Sequence, residues 1–335
     1  MATYYGIYGQ KVQYLASDPS DPQIGQVWYN STSATFKVRQ EVTVNAWASG
    51  GNLSTARYYL GGMGTQTAAL AAAGQVPPGG AITTAVEEYD GTSWTAGGSV
   101  PTGVRELGPA GTQTAAAIFG GISPPGAETG TTQEYDGSAW TSGGTMATAR
   151  TLLGGTGTQT SALAIGGYIY PSNANQSAVE EYDGTSWTSG GSLPAARRTA
   201  SGTGTQTSAL SVGGVPPNAP AQNLTEEYDG TSWTSGGNLN TGRSRAGIAG
   251  SQTSAIFYGG APPATGATEL YNGTSWTSNP TGLGTGRYSL GGLGNSGSQT
   301  LALAFGGTTS GLPGMQSATE EWTGTIVSSK TVTVS

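Results

Sequence analysis

The stretch Val179-Glu180-Glu181-Tyr182-Asp183-Gly184-Thr185-Ser186-Trp187 decides the fold, because most of it recurs along the chain. Its second part, Tyr-Asp/Asn-Gly-x-x-Trp, is present five times, and a degenerate sixth copy ends at Trp322. A second motif, Gly-Thr/Ser-Gln-Thr, begins at Gly64, Gly111, Gly157, Gly204, Gly250 and Gly297. Successive copies are 46 or 47 residues apart. A fixed period in this range indicates supersecondary units that are stacked or arranged radially.

One repeat contains four short strand patterns. In the third repeat these are Thr151–Gly155, Ser161–Ile165, Val179–Tyr182 and Ser186–Thr188. Asp183-Gly184, between the last two, predicts a two-residue type I′ hairpin, because both central positions of that turn need a positive φ. Four short strands per repeat are typical of a propeller blade. No window shows helical periodicity over about ten residues, so we expect an all-β protein.

Composition excludes several kinds of site. The 335 residues include 58 glycines, and only 9% are charged, which could indicate disorder. Regularly spaced aromatic residues and a hydrophobic content of 35% argue instead for packed structure. The chain has no Cys and no His. It therefore lacks disulfides, thiolate nucleophiles, the usual general base and the commonest metal ligand, and we expect no catalytic residues, cofactor or metal.

Charge and hydropathy limit the partners. The net charge is −7, and the only lysines, Lys11, Lys37 and Lys330, lie outside the repeats. Because a nucleic-acid binder needs clustered basic residues, we expect no nucleic-acid partner. No apolar run approaches about 18 residues, and the N-terminal residues lack the cationic and apolar segments of a secretory signal, so we expect no membrane insertion.

Further features are shared between the copies. Gly-Gly closes the second strand pattern at 120–121, 166–167, 213–214, 259–260 and 306–307. An arginine follows each tryptophan into the next copy, at Arg57, Arg105, Arg150, Arg197, Arg243 and Arg287. With the Tyr and Trp that follow each Gly-Gly pair, these features resemble the kelch repeat family over most of the chain. The resemblance implies a six-bladed, kelch-like β-propeller. The first copy departs from the pattern at Ala73-Gly74 and the sixth at Trp322.

The repeated aromatic and acidic residues have a structural interpretation. The tryptophans with equivalent positions are Trp47, Trp94, Trp140, Trp187, Trp233 and Trp276. Six equivalent placements favour packing between blades over sugar stacking, so we predict that they anchor the repeats. Acidic pairs recur at 87–88, 180–181, 226–227 and 320–321. Adjacent residues of a strand point to opposite faces and cannot share one site, so we interpret these carboxylates as edge or inter-blade partners of the arginines.

One face of the predicted propeller varies between copies. The turns between first and second strands, and between third and fourth strands, are nearly identical in every repeat. The connections between second and third strands, called here the b–c loops, differ in length and content. We predict that they bind a ligand, because loops on a rigid scaffold commonly do. The predicted contact residues are Pro77, Pro78, Pro124, Pro125, Tyr168, Tyr170, Pro216, Pro217, Pro262 and Pro263.

Both ends of the chain contain a strand pattern that could complete the last blade. Residues 41–47 fit a fourth strand that has no first, second or third strand before it. We predict that this strand completes the last blade. The tail 325–334 is also strand-like and is predicted to be an additional outer strand or a subunit contact. The domains predicted are an N-terminal anchoring arm, 1–40, and a propeller, 41–335.

The arm has its own pattern. Residues 18–32 followed by 36–39 predict a hairpin with an Asn-Ser-Thr turn. This segment resembles one that is common in bacteriophage tail-fibre and other virion proteins. The predicted arm contacts are Tyr4, Tyr5, Tyr8, Tyr14, Trp28 and Tyr29. An aromatic segment too small to bury itself is expected to dock on another subunit, so the partners would be virion proteins and the protein an oligomer within the virion, assembled in the host cytoplasm.

These observations favour a non-enzymatic, tail-associated virion structural protein that displays its loops to a host-surface glycan or protein. One alternative is a head decoration or cement protein. Another is a sialidase-like glycosidase, whose repeated Asp-x-Gly-x-x-Trp box is one residue longer than the box found here. That enzyme would need a central arginine cluster, a nucleophile and a carboxylate, whereas arginines that recur once per repeat are expected to be structural.

Overall fold

The computed structural model describes residues 12–294 and 298–332. The chain divides into two compact units, one of residues 46–322 and the other of the remaining N- and C-terminal residues. Regular structure in the described part is β, apart from a single 3-10 turn at Leu312–Gly314. None of the described residues forms a helix that could cross a bilayer. The prediction of an all-β protein is confirmed.

The smaller unit contains a hairpin held by one aspartate. β1 (Gln13–Leu15) runs parallel to β2 (Val27–Asn30), which pairs in antiparallel register with the start of β3 (Thr35–Ser49). Asp18 forms an ion pair with Lys37 at 2.6 Å. It also accepts hydrogen bonds from the Trp28 indole and the Asn30 amide, at 3.0 and 2.7 Å. These partners, Lys37 first, hold the pKa of Asp18 at about 2.

The aromatic residues of this hairpin differ in exposure. Trp28 is fully buried and so supports the hairpin from within, whereas the side chain of Tyr14 is 74% exposed. Tyr14 stacks on Tyr29, which contacts Phe36, with ring centroids 5.1 and 4.9 Å apart. The other predicted arm contacts, Tyr4, Tyr5 and Tyr8, lie outside the described residues.

The larger unit is built from short strands. They are β4 (Gly61–Thr65), β5 (Ala68–Ala72), β6 (Gln75–Val76), β7 (Ala81–Ile82), β8 (Val86–Tyr89), β9 (Trp94–Ala96), β10 (Gly108–Gly111), β11 (Ala116–Phe119), β12 (Ile122–Ser123), β13 (Ala127–Glu128), β14 (Thr132–Tyr135), β15 (Trp140–Ser142), β16 (Gly154–Thr158), β17 (Ser161–Ile169), β18 (Ala174–Tyr182), β19 (Trp187–Ser189), β20 (Ser201–Thr205), β21 (Ser208–Val212), β22 (Thr225–Tyr228), β23 (Trp233–Ser235), β24 (Gly247–Ser251), β25 (Ser254–Tyr258), β26 (Thr268–Tyr271), β27 (Trp276–Asn279), β28 (Leu301–Phe305) and β29 (Thr319–Val332).

Each repeat forms one antiparallel sheet in which the strands follow chain order. Sheet 1 is β4-β5-β8-β9, sheet 2 is β10-β11-β14-β15, and sheet 3 is β16-β17-β18-β19. Sheet 4 is β20-β21-β22-β23, and sheet 5 is β24-β25-β26-β27. The short pairs β6-β7 and β12-β13 are hairpins within b–c loops. Four-stranded meanders of this kind are the predicted repeat unit.

The last sheet joins both ends of the chain. Its order is β1-β2-β3-β29-β28, so β3 lies beside β29. A bridge between Gly291 and Phe305 places the first strand of this repeat beside β28. The N-terminal strand therefore occupies the fourth position, as predicted. The tail is not a separate outer strand, because β29 continues without interruption from the third strand of the repeat.

Two local predictions were wrong. The first strand of repeat three begins at Gly154, three residues later than predicted, because Leu152 has a φ of 54° and Thr151 bridges to Tyr168 instead. The Asp183-Gly184 turn is not a two-residue hairpin, since Tyr182 pairs with Trp187 and leaves a four-residue loop. The Asp183 carboxylate accepts hydrogen bonds from the backbone N–H groups of Thr185 and Ser186. An aspartate that bonds to the backbone in this way favours such a loop.

The abundant glycine has a packing role. Neighbouring first strands approach so closely that a Cβ at Gly62 would lie 2.5 Å from the carbonyl oxygen of Gly292. A Cβ at Gly155 would lie 2.5 Å from the carbonyl oxygen of Pro109. Only glycine permits this approach, so the composition that could suggest disorder instead allows the first strands to pack together.

The repeated glutamines connect each sheet to the one before it. Each side-chain amide donates two hydrogen bonds, at 2.6–3.2 Å, to carbonyl oxygens of the preceding repeat. The glutamines are Gln66, Gln113, Gln159, Gln206, Gln252 and Gln299. The first of them, Gln66, bonds to Ala302 and Trp322 of the last repeat. These contacts therefore form a cycle.

The tyrosines of the third strands also bond between sheets. The hydroxyls of Tyr89, Tyr135, Tyr182, Tyr228 and Tyr271 donate at 2.5–2.6 Å to Glu321, Glu88, Glu134, Glu181 and Glu227 of the preceding sheet. The second carboxylate of each acidic pair thus binds a tyrosine, and the prediction that it pairs with an arginine was wrong. In the last repeat Trp322 replaces the tyrosine, and in the preceding repeat Leu270 replaces the glutamate that would accept its hydrogen bond. A pair of apolar residues thus stands where the other repeats have a hydrogen-bonded pair.

These bonds predict an alkaline unfolding transition. Desolvation, reinforced by the adjacent glutamate, raises the pKa of each of these five tyrosines from 10.0 to about 12. Their contribution to stability is therefore complete below about pH 10 and is lost as pH rises toward about 12. We expect tyrosinate absorbance and loss of circular dichroism to rise together in this range. Complete tyrosine ionisation near pH 10 with intact structure would contradict the inter-sheet role.

Buried ion pairs lie within most repeats. They are Arg57–Glu87, Arg150–Glu180, Arg197–Glu226, Arg243–Glu269 and Arg287–Glu320. The five arginine side chains are at most 2% exposed. In the second repeat the equivalent positions hold Val104 and Gln133, so a neutral pair replaces the ion pair. Arg105 is one residue out of register with the other five arginines, and including it among the repeated structural arginines was wrong.

The tryptophans lie between sheets. Each indole N–H donates at 2.7–3.0 Å to an oxygen of the preceding repeat. Trp140, Trp233 and Trp276 are buried, whereas Trp47, Trp94 and Trp187 are partly buried. Five of the six also contact the tyrosine of their own repeat, with ring centroids 4.7–4.9 Å apart. Trp47 instead contacts Trp322, at 5.5 Å.

Candidate functional site

A ring of backbone hydrogen bonds surrounds the starts of the first strands. Its members are Tyr59, Glu106, Leu152, Thr199, Arg245 and Ser289, one from each repeat. All have a φ between 53 and 59°, in the left-handed region that non-glycine residues rarely occupy. Each N–H donates to the carbonyl oxygen of the ring member in the preceding repeat, at 2.7–3.1 Å, and Tyr59 donates to Ser289. Such clustered backbone strain is typical of functional sites.

The residues immediately before the ring members form a second set, namely Tyr58, Arg105, Thr151, Arg198, Ser244 and Tyr288. Each of them bridges to a residue at the start of its own b–c loop. We call these twelve residues the channel mouth. The channel mouth and the b–c loops therefore lie at the same ends of the strands, and the nearly identical turns lie at the opposite ends.

The channel mouth was missed by reasoning from the sequence, although a signal was present. In every repeat its two residues are followed by a leucine or an alanine. They are preceded by an arginine in five repeats and by Val104 in the second. The flanking residues are nearly constant, whereas the two between them are different in each copy. Aligning the repeats on these flanks would have singled out the two positions. Attention to loop length and proline content directed the prediction to the b–c loops instead.

A small cavity opens at the channel mouth. Its volume is about 130 Å³, and residues from all six repeats line it. The wall includes all six ring members and apolar residues such as Leu60, Leu153 and Ile248. Glycines of the first strands, among them Gly62 and Gly155, complete the lining. The cavity is thus mostly apolar with a few polar groups, as expected of a small-molecule site.

The channel mouth contains more positively charged than negatively charged side chains. Its twelve residues include three arginines, Arg105, Arg198 and Arg245, and one carboxylate, that of Glu106. Glu106 pairs with Arg105 at 2.6 Å and accepts a hydrogen bond from the Thr151 hydroxyl at 2.8 Å. Burial raises the pKa of Glu106, and the positive charge of Arg105 opposes that shift. Arg245 and Glu106 line the cavity, whereas Arg105 and Arg198 do not.

Two of these arginines contact aromatic rings. Arg198 lies 4.7 Å from the ring centroid of Tyr168 and donates to the Asn175 side chain at 2.9 Å. Arg245 lies 5.7 and 6.0 Å from the ring centroids of Tyr59 and Tyr288. Burial raises the pKa of Tyr59 to about 12, so this hydroxyl is protonated at neutral pH. Guanidinium groups beside aromatic faces are favourably placed by cation–π attraction.

The predicted contact residues of the b–c loops occupy different environments. Tyr168 is only 8% exposed, because it lies beneath Arg198 and its hydroxyl donates to Asn173. Tyr170 is 49% exposed, at the tip of the same hairpin. Burial raises the pKa of Tyr170, and so does the negative charge of Glu106, which is consistent with its position near the channel mouth. Tyr170 is therefore accessible to a ligand, whereas Tyr168 supports the hairpin.

The proline pairs are accessible. Pro77, Pro78, Pro124, Pro125, Pro217, Pro262 and Pro263 are exposed, and Pro216 is half-buried. Pro216 and Pro217 line a groove of about 490 Å³ together with Tyr168, Asn175 and Arg198. The described residues contain no cluster of acidic, His or Cys side chains suited to a metal ion.

No protein-family model and no curated protein sequence matches this chain. Among solved structures, the chain is similar to one described as the structure of YjhT, with a TM-score of 0.67 and 15% sequence identity. The alignment covers 83% of this chain and 99% of that chain. At this identity the likeness shows the fold alone. Together with the four-stranded antiparallel sheets, it supports a β-propeller.

Proposed function

We propose that residues 46–322 form a six-bladed, kelch-like propeller closed by the N-terminal strand. The glutamine bonds and the ring of backbone bonds each run through six repeats and return to the first, which supports this count. The position of β3 beside β29 supports closure by the N-terminal strand. Closure of this kind removes exposed sheet edges within the propeller.

We further propose that the protein is a non-enzymatic, tail-associated virion structural protein whose propeller binds a host-surface glycan or protein. One observation carries the binding role. The residues shared by the repeats are occupied by bonds between or within sheets, whereas the residues that differ gather at the channel mouth and in the b–c loops. Differences at one face of a uniform scaffold are expected where a specific ligand is recognised.

The virion role rests on the resemblance of the arm and on its exposed aromatic residues. The ring of Tyr14 is 74% exposed, and Tyr14, Tyr29 and Phe36 form a row. An exposed aromatic row is expected to be covered by a partner, for which we propose another virion subunit. The protein would then be oligomeric in the virion and would be assembled in the host cytoplasm.

Removing residues 1–40 is expected to abolish incorporation into virions while the propeller still folds, because the deletion spares every repeat. Incorporation is measured by mass spectrometry of purified particles, and folding by circular dichroism of the truncated protein. Tyr170→Ser is the matched control, since it should weaken attachment to host cells and leave incorporation unchanged. Normal incorporation of the truncated chain would refute the anchoring role.

Two alternatives have distinct tests. A head decoration or cement protein would be recovered with heads rather than tails when particles are fractionated. A sialidase-like glycosidase is favoured by one observation, that Arg245, Glu106 and Tyr59 line one cavity and that Arg105 pairs with Glu106. Release of sugar from host glycans by the purified protein, and its loss in Glu106→Gln, would support the enzyme over the binding protein.

A further inference from the structure

We propose that the channel mouth binds a small sugar that carries a carboxylate, with Arg245 as the residue that holds the carboxylate. This inference deepens the proposed binding function and rests on it for the location of the site.

Among the described residues, the Arg245 side chain lacks the polar partners that the other arginines of the repeats have. The five repeated arginines are buried in ion pairs, and Arg105 is paired with Glu106. Arg198 donates to Asn175 and lies over Tyr168. Within the described residues, the Arg245 side chain has neither an ion pair nor a hydrogen bond, and its Nε is buried without a partner. The Nε atoms of the five repeated arginines are unpartnered as well, so Arg245 differs from them in its terminal nitrogens, which have no acceptor in the described part of the chain and can donate to one from a ligand.

The backbone N–H groups of the ring members are not free to bind an anion. Every N–H of the ring donates to the carbonyl oxygen of its neighbour, so none points freely into the cavity. The Thr199 hydroxyl donates to the Arg198 carbonyl at 2.6 Å. The charged donor available to a negative group in the cavity wall is the Arg245 guanidinium, whose planar donors fit a carboxylate with two parallel hydrogen bonds.

The field at the channel mouth has the required sign. Three of its twelve residues are arginines and one is a glutamate, and Glu128 of a b–c loop adds a second carboxylate nearby, whereas the whole chain has a net charge of −7. Charges of one sign around a low-dielectric cleft concentrate ligands of the opposite sign. The channel mouth is thus positively charged although the chain as a whole is negatively charged. This local charge favours the binding of an anion at the centre of the variable face.

The surroundings of Arg245 indicate what the anion is attached to. Tyr59 and Tyr288 flank its guanidinium, and the Ser289 hydroxyl lies in the cavity wall. Aromatic faces beside hydroxyl groups suit a sugar ring, which has both apolar and polar surfaces. The cavity of about 130 Å³ holds a single small unit rather than a chain.

The test is a calorimetric titration of the purified full-length protein at low salt with glucuronic acid, glucose and inorganic phosphate. We expect glucuronic acid to bind on the order of tenfold or more tightly than glucose, because only the acid engages Arg245. Arg245→Gln should reduce glucuronic acid affinity on the order of tenfold, and Arg245→Lys should restore part of it. Arg39→Gln, in the arm, is the matched control and should bind as the wild type does. Thermal melting verifies that each variant is folded.

Several results would overturn the inference. Equal affinity for glucose and glucuronic acid would remove the role of the carboxylate, and preference for phosphate would assign another anion. Unchanged affinity in a folded Arg245→Gln variant would remove Arg245 from the site, and so would failure of glucuronic acid to bind at about 10 mM. If host attachment still depends on Tyr170 in any of these cases, the proposed function stands while the ligand class is refuted.

Discussion

Glu180→Ala is expected to lower the free energy of unfolding by about 3–5 kcal/mol, because it leaves a buried guanidinium without its carboxylate. The side chain of Arg150 is fully buried and that of Glu180 is 5% exposed. Glu180 also accepts a hydrogen bond from the backbone N–H of Ala147 at 2.7 Å, which the substitution removes. Burial lowers the pKa of the Arg150 guanidinium, and the charge of Glu180 opposes that shift.

The chain supplies its own control for this experiment. The second repeat has Val104 and Gln133 at the positions of Arg150 and Glu180, and Gln133 exchanges hydrogen bonds with the Thr102 backbone. The double variant Arg150→Val with Glu180→Gln should therefore recover most of the lost stability, since no buried charge remains unpaired. Denaturant titration measures both variants. A cost below about 1 kcal/mol for Glu180→Ala, or a double variant less stable than the single one, would contradict this account.

Trp187→Ala is expected to cost about 3–5 kcal/mol, because it opens a cavity between two sheets. The indole stacks on Tyr182 of its own repeat and contacts Phe119 of the preceding sheet edge to face, with centroids 4.8 Å apart in both cases. Its N–H donates to the Thr132 hydroxyl at 2.9 Å. The substitution thus removes aromatic contacts and leaves a polar group without its partner.

Trp187→Phe separates these two effects. It keeps an aromatic ring beside Tyr182 but loses the hydrogen bond to Thr132, so we expect a cost of about 1–2 kcal/mol. Both variants are compared with the wild type by guanidinium titration at neutral pH. A loss below about 1 kcal/mol for Trp187→Ala would reject Trp187 as an anchor between sheets.

The sequence predicted the fold where a side chain does the same task in every repeat. Trp187 and Gln159 recur in register because each bonds to the preceding sheet. The start of the first strand was misplaced because Leu152 adopts a positive φ that no residue type signals. The partner of Glu181 was missed because the Tyr228 hydroxyl belongs to the next sheet, and a contact between repeats is not visible within one repeat.

The candidate site was only partly predictable. Tyr170 was named from its loop and is exposed near the channel mouth. Arg245 was passed over, because it stands two residues after the structural arginine Arg243 and resembles it in type. The two differ only in environment, since Arg243 is paired with Glu269 and Arg245 has aromatic neighbours. Burial and pairing separate them, and neither is encoded in a short stretch of sequence.

The central claim is that six sheets surround one axis and bring their differing residues together at one end of it. An experimental density map of the full-length protein tests it most directly. We predict six sheets, with β3 as the fourth strand of the last and with Tyr59, Arg245 and Ser289 around a single opening. Five or seven sheets, an open stack, or these three residues at separate places would contradict it.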